Sequence, residues 1–197
     1  MAQTVPEQTM AMVLHVMQEI AGVQAGPILT QAGLGRFLTT PPDRTSMRPA
    51  ASQEELIQLF RNIYRMLGED LTRLFMRNYG ESTANVLLQL PDVQALLAEI
   101  RPVPREQQMR RLAETLEPWM ARGWAPLTIT EDKDACYMAY EVCYACYGIT
   151  GAKRPLCAAG DVIFARLARE ALGRRVRVVE VECAAMGAER CKYALYK

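Results

Sequence analysis

The side chains in this sequence best suited to chemistry are its cysteines, and three of the six gather with one carboxylate in the last part of the chain. Cys157 lies in RPLCAAG, Glu180 and Cys183 in VEVEC, and Cys191 follows the loop AAMGAER. Three sulfurs and one carboxylate can complete a tetrahedral shell around Zn²⁺ and leave no position for water. That closed shell belongs to a structural ion rather than a catalytic one. Fully ionised, it leaves an excess of about two negative charges. Lys153, Arg154, Arg190 and Lys192 adjoin the four residues in sequence and are placed to offset it. The spacing alone leaves two further readings open, a Cys183–Cys191 disulfide or two buried free thiols, since this is not a CxxC…CxxC ribbon.

The elements that must position these groups follow from hydrophobic period. Cys183 and Cys191 flank the loop between two strands, VRVVEVEC and CKYALY, and can face each other at its base. Glu180 is three residues before Cys183, which on an ideal strand sends the two side chains to opposite faces. A bulge or twist near the strand end is needed to unite them. Cys157 follows Pro155 at the start of a helix, where free backbone N–H groups and the helix dipole favour a thiolate. Gly160, Ile163, Phe164, Leu167 and Ala171 form the packed face of that helix, and Gly173 suits its C-cap. Upstream, PLTIT (126–130), the turn EDKD and CYMAYEVCY (136–144) read as a hairpin. The order ββαββ predicts an antiparallel sheet with helices against it, an α+β fold.

Residues 4 to about 122 have helical period instead. Thr4 and Glu7 stand at capping-box spacing ahead of Met10, Val13, Leu14, Met17 and Ile20 on one face. TTPPDRTSMRP (39–49) reads as a surface loop. Ser52 and Glu55 form a second capping box before Leu56, Leu59, Phe60, Ile63 and Leu67. Further helices are predicted over 69–79, 82–89, 92–100 and 104–122, with Pro118 kinking or ending the last. The chain thus divides into a helical region, 1–123, and an α+β region, 124–197, expected to form one compact unit.

Bulk properties narrow the function. In 197 residues, 23 Lys and Arg face 22 Asp and Glu, without the basic excess of a nucleic-acid binder. The N-terminus lacks the basic region of a signal peptide, and no apolar run reaches the ~20 residues of a membrane span. A cytoplasmic location is expected, where thiols stay reduced and clustered cysteines bind metal more often than they pair.

PLCAAG followed by EVECAAMGAERC resembles the signature of the 4-vinyl reductase domain family. In that family a Cys before a helix, then E-x-x-C and a Cys across a glycine loop, bind zinc. The resemblance covers residues 124–197 and assigns Cys157, Glu180, Cys183 and Cys191 as the ligands of a structural Zn²⁺. It implies a fold similar to TRAPP-type tethering subunits and haem NO-binding domains, often dimeric, with an apolar ligand pocket between helices and sheet. Members include sensory domains of phenol- and toluene-responsive activators and a protein of bacteriochlorophyll synthesis. The implied function is a zinc-stabilised binding protein for a hydrophobic aromatic or tetrapyrrole-like molecule, as a carrier in (bacterio)chlorophyll synthesis or a stand-alone sensor. No ATPase or DNA-binding region follows Lys197, so an activator is not expected. Catalytic reduction of a tetrapyrrole vinyl group and a ligand-free dimeric scaffold are the alternatives. A reductase needs a hydride donor, and no strand-GxGxxG-helix unit is present.

Other features have plainer readings. Cys136, Cys143 and Cys146 read as small buried residues of a packed strand, with a second thiol site at the Cys143–Cys146 pair as the alternative. Trp119, Trp124, Tyr140, Tyr144 and Phe164 are the candidate pocket residues, although each also suits ordinary core packing. The single histidine, His15, lies off the apolar face of the first helix and reads as solvated.

Overall fold

Apolar residues at helical spacing build the first helix, α1 (Glu7–Ala21), and bury Met10, Val13, Leu14 and Met17. In this computed structural model residues 4–123 and 125–197 are described, the side chains of Trp119 and Arg122 apart. The expected capping box at Thr4 and Glu7 is replaced by a short strand, β1 (Thr4–Pro6), with Pro6 as the N-cap. Proline fixes its own φ and pushes Val5 into extended backbone, which suits a strand better than a cap. After α2 (Ala25–Gln31) and the loop rich in Pro, Thr and Ser comes β2 (Pro49–Ser52), antiparallel to β1.

Ser52 then caps α3 (Gln53–Leu87) as its sequence predicts. Glu55 N–H donates to Ser52 Oγ at 3.1 Å, and Ser52 N–H donates to Glu55 Oε2 at 2.7 Å. Arg36 closes on the same carboxylate at 2.6 Å. The stretches 69–79 and 82–89 form one run through Gly80. The break lies at Gly68, whose φ of 77° is open to glycine and strained for other residues. Two more helices follow, α4 (Pro91–Ala98) and α5 (Gln108–Gly123); the latter continues through Pro118 rather than ending there.

The remaining elements are β3 (Leu127–Glu131), β4 (Ala135–Tyr140), α6 (Ala158–Leu172), β5 (Val178–Glu182) and β6 (Lys192–Tyr196). The four strands form one antiparallel sheet in the order β3-β4-β6-β5, the α+β arrangement that the ββαββ pattern predicts. One prediction overshot. β4 stops at Tyr140, so residues 141–149 leave the sheet in successive turns and take Cys143 and Cys146 with them.

Helix α6 lies between the sheet and α3, with its predicted apolar face buried and Gly173 in the left-handed conformation at its end. The contact with α3 is unusually close. A Cβ on Gly80 would stand 2.8 Å from both Cα and carbonyl O of Ala159, so only a hydrogen fits there. A continuous apolar core runs through both halves of the chain, from Phe60 and Phe75 on α3 through Phe164 on α6 to Tyr193 on β6. Among the described residues no helix is long and apolar enough to cross a membrane.

Two outcomes test this account. Gly80→Ala should lose about 1–3 kcal/mol in urea unfolding, because the added methyl forces the helices apart. The Arg36 hydrogen bond holds the Glu55 carboxyl below its ordinary value of 4.5, against a smaller opposing effect of burial. A depressed folded-state pKa adds stability that is complete above pH 4.5 and fades as the pH falls through the folded value. Glu55→Gln should therefore lower stability at neutral pH and flatten the acid limb of the unfolding profile.

Candidate metal centre and adjoining cavity

The bulge that the Glu180–Cys183 spacing demands is present. Pairing between β5 and β6 shifts register between Glu180 and Glu182. Val181 turns outward at 43% exposure while Glu180 and Cys183 are buried at 4% and 3%. Across the loop Cys191 is fully buried, and its sulfur accepts from Ala184 N–H at 3.4 Å. Cys157 is the N-cap of α6. Its N–H donates to Glu180 Oε2 at 3.0 Å, and Leu156 N–H donates to the Cys183 sulfur at 3.5 Å. The Cys157 and Cys191 sulfurs are 3.9 Å apart. The structure thus brings Cys157, Glu180, Cys183 and Cys191 together.

Cys143 and Cys146 join them. The Cys143 sulfur lies 3.0 Å from that of Cys157, and Cys146 lies 3.2 Å from Cys157 and 3.7 Å from Cys183. The turns after β4 make this possible, with Cys146 and Tyr147 N–H both donating to the Cys143 carbonyl. The packed-strand reading failed because it extended β4 past Tyr140. The usable signal was the spacing Cys143-Tyr-Ala-Cys146, which suits two donors on one turn better than two residues on one strand. Ligand atoms fall into two compact sets, Cys143, Cys146, Cys157 and Cys191, and Cys146, Glu180, Cys183 and Cys191, each within 4.8 Å. Cys136 stays apart on β4, its thiol pushed up to about 11, chiefly by burial.

All six cysteines are free and buried. Burial pushes the Glu180 carboxyl up to about 11, with the Cys191 and Cys183 sulfurs adding to the shift. Hydrogen bonds from Cys146 and then Cys157 hold the Cys143 thiol well below its ordinary range, while sharing with Cys143 drives Cys146 upward. Ionising one sulfur thus raises the cost of ionising its neighbour, as buried like charges must. A cation resolves that conflict, and the donors suit one. Metal–sulfur bonds of ~2.3 Å in a tetrahedron place sulfurs roughly 3.8 Å apart, matching the 3.7 and 3.9 Å separations. Glu180 Oε1 is buried without a protein hydrogen-bond partner. The cluster can therefore hold a metal ion.

The offsetting charges lie elsewhere than the sequence suggested. Arg154 pairs with Glu69 and Asp70, and Lys192 with Glu182. Backbone N–H groups at Leu156, Cys157 and Ala184 face the cluster instead.

Beside the cluster is a cavity of about 360 Å³. Met12 on α1, Met76, Tyr79 and Thr83 on α3, Ile163 on α6, and Tyr140 and Tyr193 on the sheet line it, and Cys143 and Cys157 form part of its wall. Thr45 and Met47 bring the loop before β2 to the same space. Burial pushes the Tyr79 hydroxyl up to about 12, only partly offset by the Thr83 hydroxyl beside it. Of the candidate pocket residues Tyr140 lines the cavity. Tyr144 and Phe164 are buried away from its wall, Phe164 packing edge-on against Tyr193 with ring centroids 5.4 Å apart. Trp124 and the Trp119 side chain lie outside the described residues. The neighbouring Met120 lines the cavity. His15 is at the surface, 3.5 Å from Glu19.

Tyr193 ties cavity to cluster, since its hydroxyl donates to the Cys157 carbonyl at 2.9 Å. Tyr193→Phe should cost about 1 kcal/mol. Gly160→Ala should cost more, because a Cβ there would meet the Tyr193 ring at 2.3–2.7 Å. Urea unfolding of both variants checks the order, and a milder Gly160→Ala would contradict this packing.

No curated protein sequence matches this chain. Among solved structures, the phenol-responsive sensory domain of the transcription activator PoxR, crystallised with phenol, aligns at a TM-score of 0.50 and 17% identity, covering 77% of each chain. An Fe(II) unliganded H-NOX protein from K. algicida aligns at 0.51 and 14% identity over 98% of this chain and 96% of its own. At such identities the likeness is one of fold, and it takes in the helices as well as the sheet. Residues 136–196, which carry Cys143, Cys146, Cys157, Glu180, Cys183 and Cys191, match the 4-vinyl reductase domain, the family that the cysteine and glutamate signature resembles.

Proposed function

We propose that this protein binds a hydrophobic aromatic molecule in the cavity between α3, α6 and the sheet, and that a structural zinc centre pins the last hairpin to the start of α6. One observation carries this reading: an apolar cavity of about 360 Å³ whose wall includes Cys143 and Cys157 of a closed thiol cluster. Cys157, Glu180, Cys183 and Cys191 are the zinc ligands that the family resemblance assigns. A shell of thiolates and carboxylate holds the fold and leaves catalysis no open coordination position. Ligand recognition then falls to the cavity wall, where Tyr79 and Thr83 offer hydroxyls against a background of Met, Ile and Tyr.

The volume stands near the lower end of the 300–1,000 Å³ usual for small-molecule sites. It favours a one- or two-ring aromatic over a tetrapyrrole macrocycle, and so a stand-alone sensor over a carrier in (bacterio)chlorophyll synthesis. No histidine lines the wall to ligate a haem. That the PoxR domain was crystallised with phenol supports the same class of ligand. A homodimer and a cytoplasmic location complete the reading.

Native mass spectrometry of freshly purified protein reports metal, retained ligand and subunit count together, with phenol and 1-naphthol as added probes. Thr83→Phe, which fills the cavity, should abolish probe binding while metal content is retained. Replacing Cys183 and Cys191 together by serine should lose the metal and melt well below the wild type. Equal metal content and melting in both variants would contradict this division of labour.

A further inference from the structure

A single tetrahedral ion uses four donors, and this cluster offers six. Cys146 and Cys191 belong to both of the four-residue sets, Cys143 and Cys157 to one alone, and Glu180 and Cys183 to the other alone. Two tetrahedra that share an edge have six corners, two of them common. The donors map onto that figure without remainder. We infer that the chain holds two thiophilic divalent ions in one edge-sharing centre, bridged by the Cys146 and Cys191 thiolates. Cys143 and Cys157 complete the shell of the ion beside the cavity, and Glu180 and Cys183 complete the other. This deepens the single-ion staple proposed above and rests on that metal reading.

Three further observations support the pair. First, with one ion bound by Cys157, Glu180, Cys183 and Cys191, Cys143 and Cys146 would be bystanders. Their sulfurs lie 3.0 and 3.2 Å from Cys157, nearer than uncoordinated atoms of that size prefer. Cys146 also stands 3.7 Å from Cys183, an edge length of a thiolate tetrahedron, which makes it central rather than peripheral.

Second, charge favours two ions. Six ionised donors around one dication leave about four surplus negative charges in a buried place, and around two dications about two. The basic side chains nearest in sequence do not supply the difference, since Arg154 and Lys192 pair with acids outside the cluster.

Third, the chemistry of the bridges is sound. The shared donors are both sulfur, which is soft and keeps lone pairs free to bind a second ion, while the one oxygen donor is terminal. Glu180 also has its Oε1 without a protein partner while Oε2 is held by Cys157 N–H, so one carboxylate oxygen is free for a metal.

Exchange of the resident metal for ¹¹³Cd in the full-length protein tests this. Native mass spectrometry should count two cadmium ions per chain, and ¹¹³Cd NMR should show two resonances of equal intensity. One belongs to an all-sulfur shell and one to a shell of three sulfurs and an oxygen. Glu180→Gln should shift or remove only the second, and Cys143→Ser only the first, with circular dichroism melts showing both variants folded. One ion per chain with a single resonance would overturn the pair and leave the single-ion staple standing. Both variants acting on the same resonance would overturn it likewise. No bound ion would overturn both readings.

Discussion

Five sulfurs and a carboxylate meet inside this protein where water cannot solvate them, and the surrounding fold is arranged around that meeting. Neutral thiols would leave the donors merely packed, and free thiolates would repel one another across 3.0–3.9 Å. A bound cation converts the same atoms into the strongest local constraint in the chain. It ties three separate segments together: the turns after β4, the first turn of α6, and the hairpin of β5 and β6. None of those connections is made by secondary structure alone.

The rest of the architecture then follows as support. The bulge at Val181 exists because Glu180 and Cys183 must face one way, and it turns the intervening valine to solvent. Tyr193 fills the space that Gly160 leaves open and holds the Cys157 carbonyl, so the helix start and the last strand move as one. On the far side of α6, Gly80 and Ala159 let α3 approach closely enough for Met76, Tyr79 and Thr83 to wall the cavity. Cluster and cavity share Cys143 and Cys157, so whatever occupies one is felt at the other.

Much of this was legible in the residues. Period-2 runs and a glycine-capped amphipathic helix specify the ββαββ order, and the clash between strand geometry and the Glu180–Cys183 spacing specifies a bulge before any coordinate is seen. Cys143 and Cys146 were less legible, because the apolar alternation of CYMAYEVCY continues past the point where pairing stops. Strand ends depend on a partner, and β6 has run out of residues to offer once Tyr140 N–H reaches the Cys191 carbonyl. Gly80 was misread for a related reason. Glycine in a helix looks like punctuation until the neighbouring helix that needs the missing side chain is known. The cavity was the least legible, since its wall draws on α1, α3, α6 and two strands far apart in sequence. Of the aromatic residues singled out, Tyr140 reaches it, while Phe164 acts one layer behind through Tyr193.

X-ray absorption at the metal edge of the protein as purified bears most directly on the central claim. A first shell dominated by sulfur at ~2.3 Å, with a minor oxygen contribution, is the result this account predicts. A shell of nitrogen and oxygen alone, or no metal at the cluster, would contradict it.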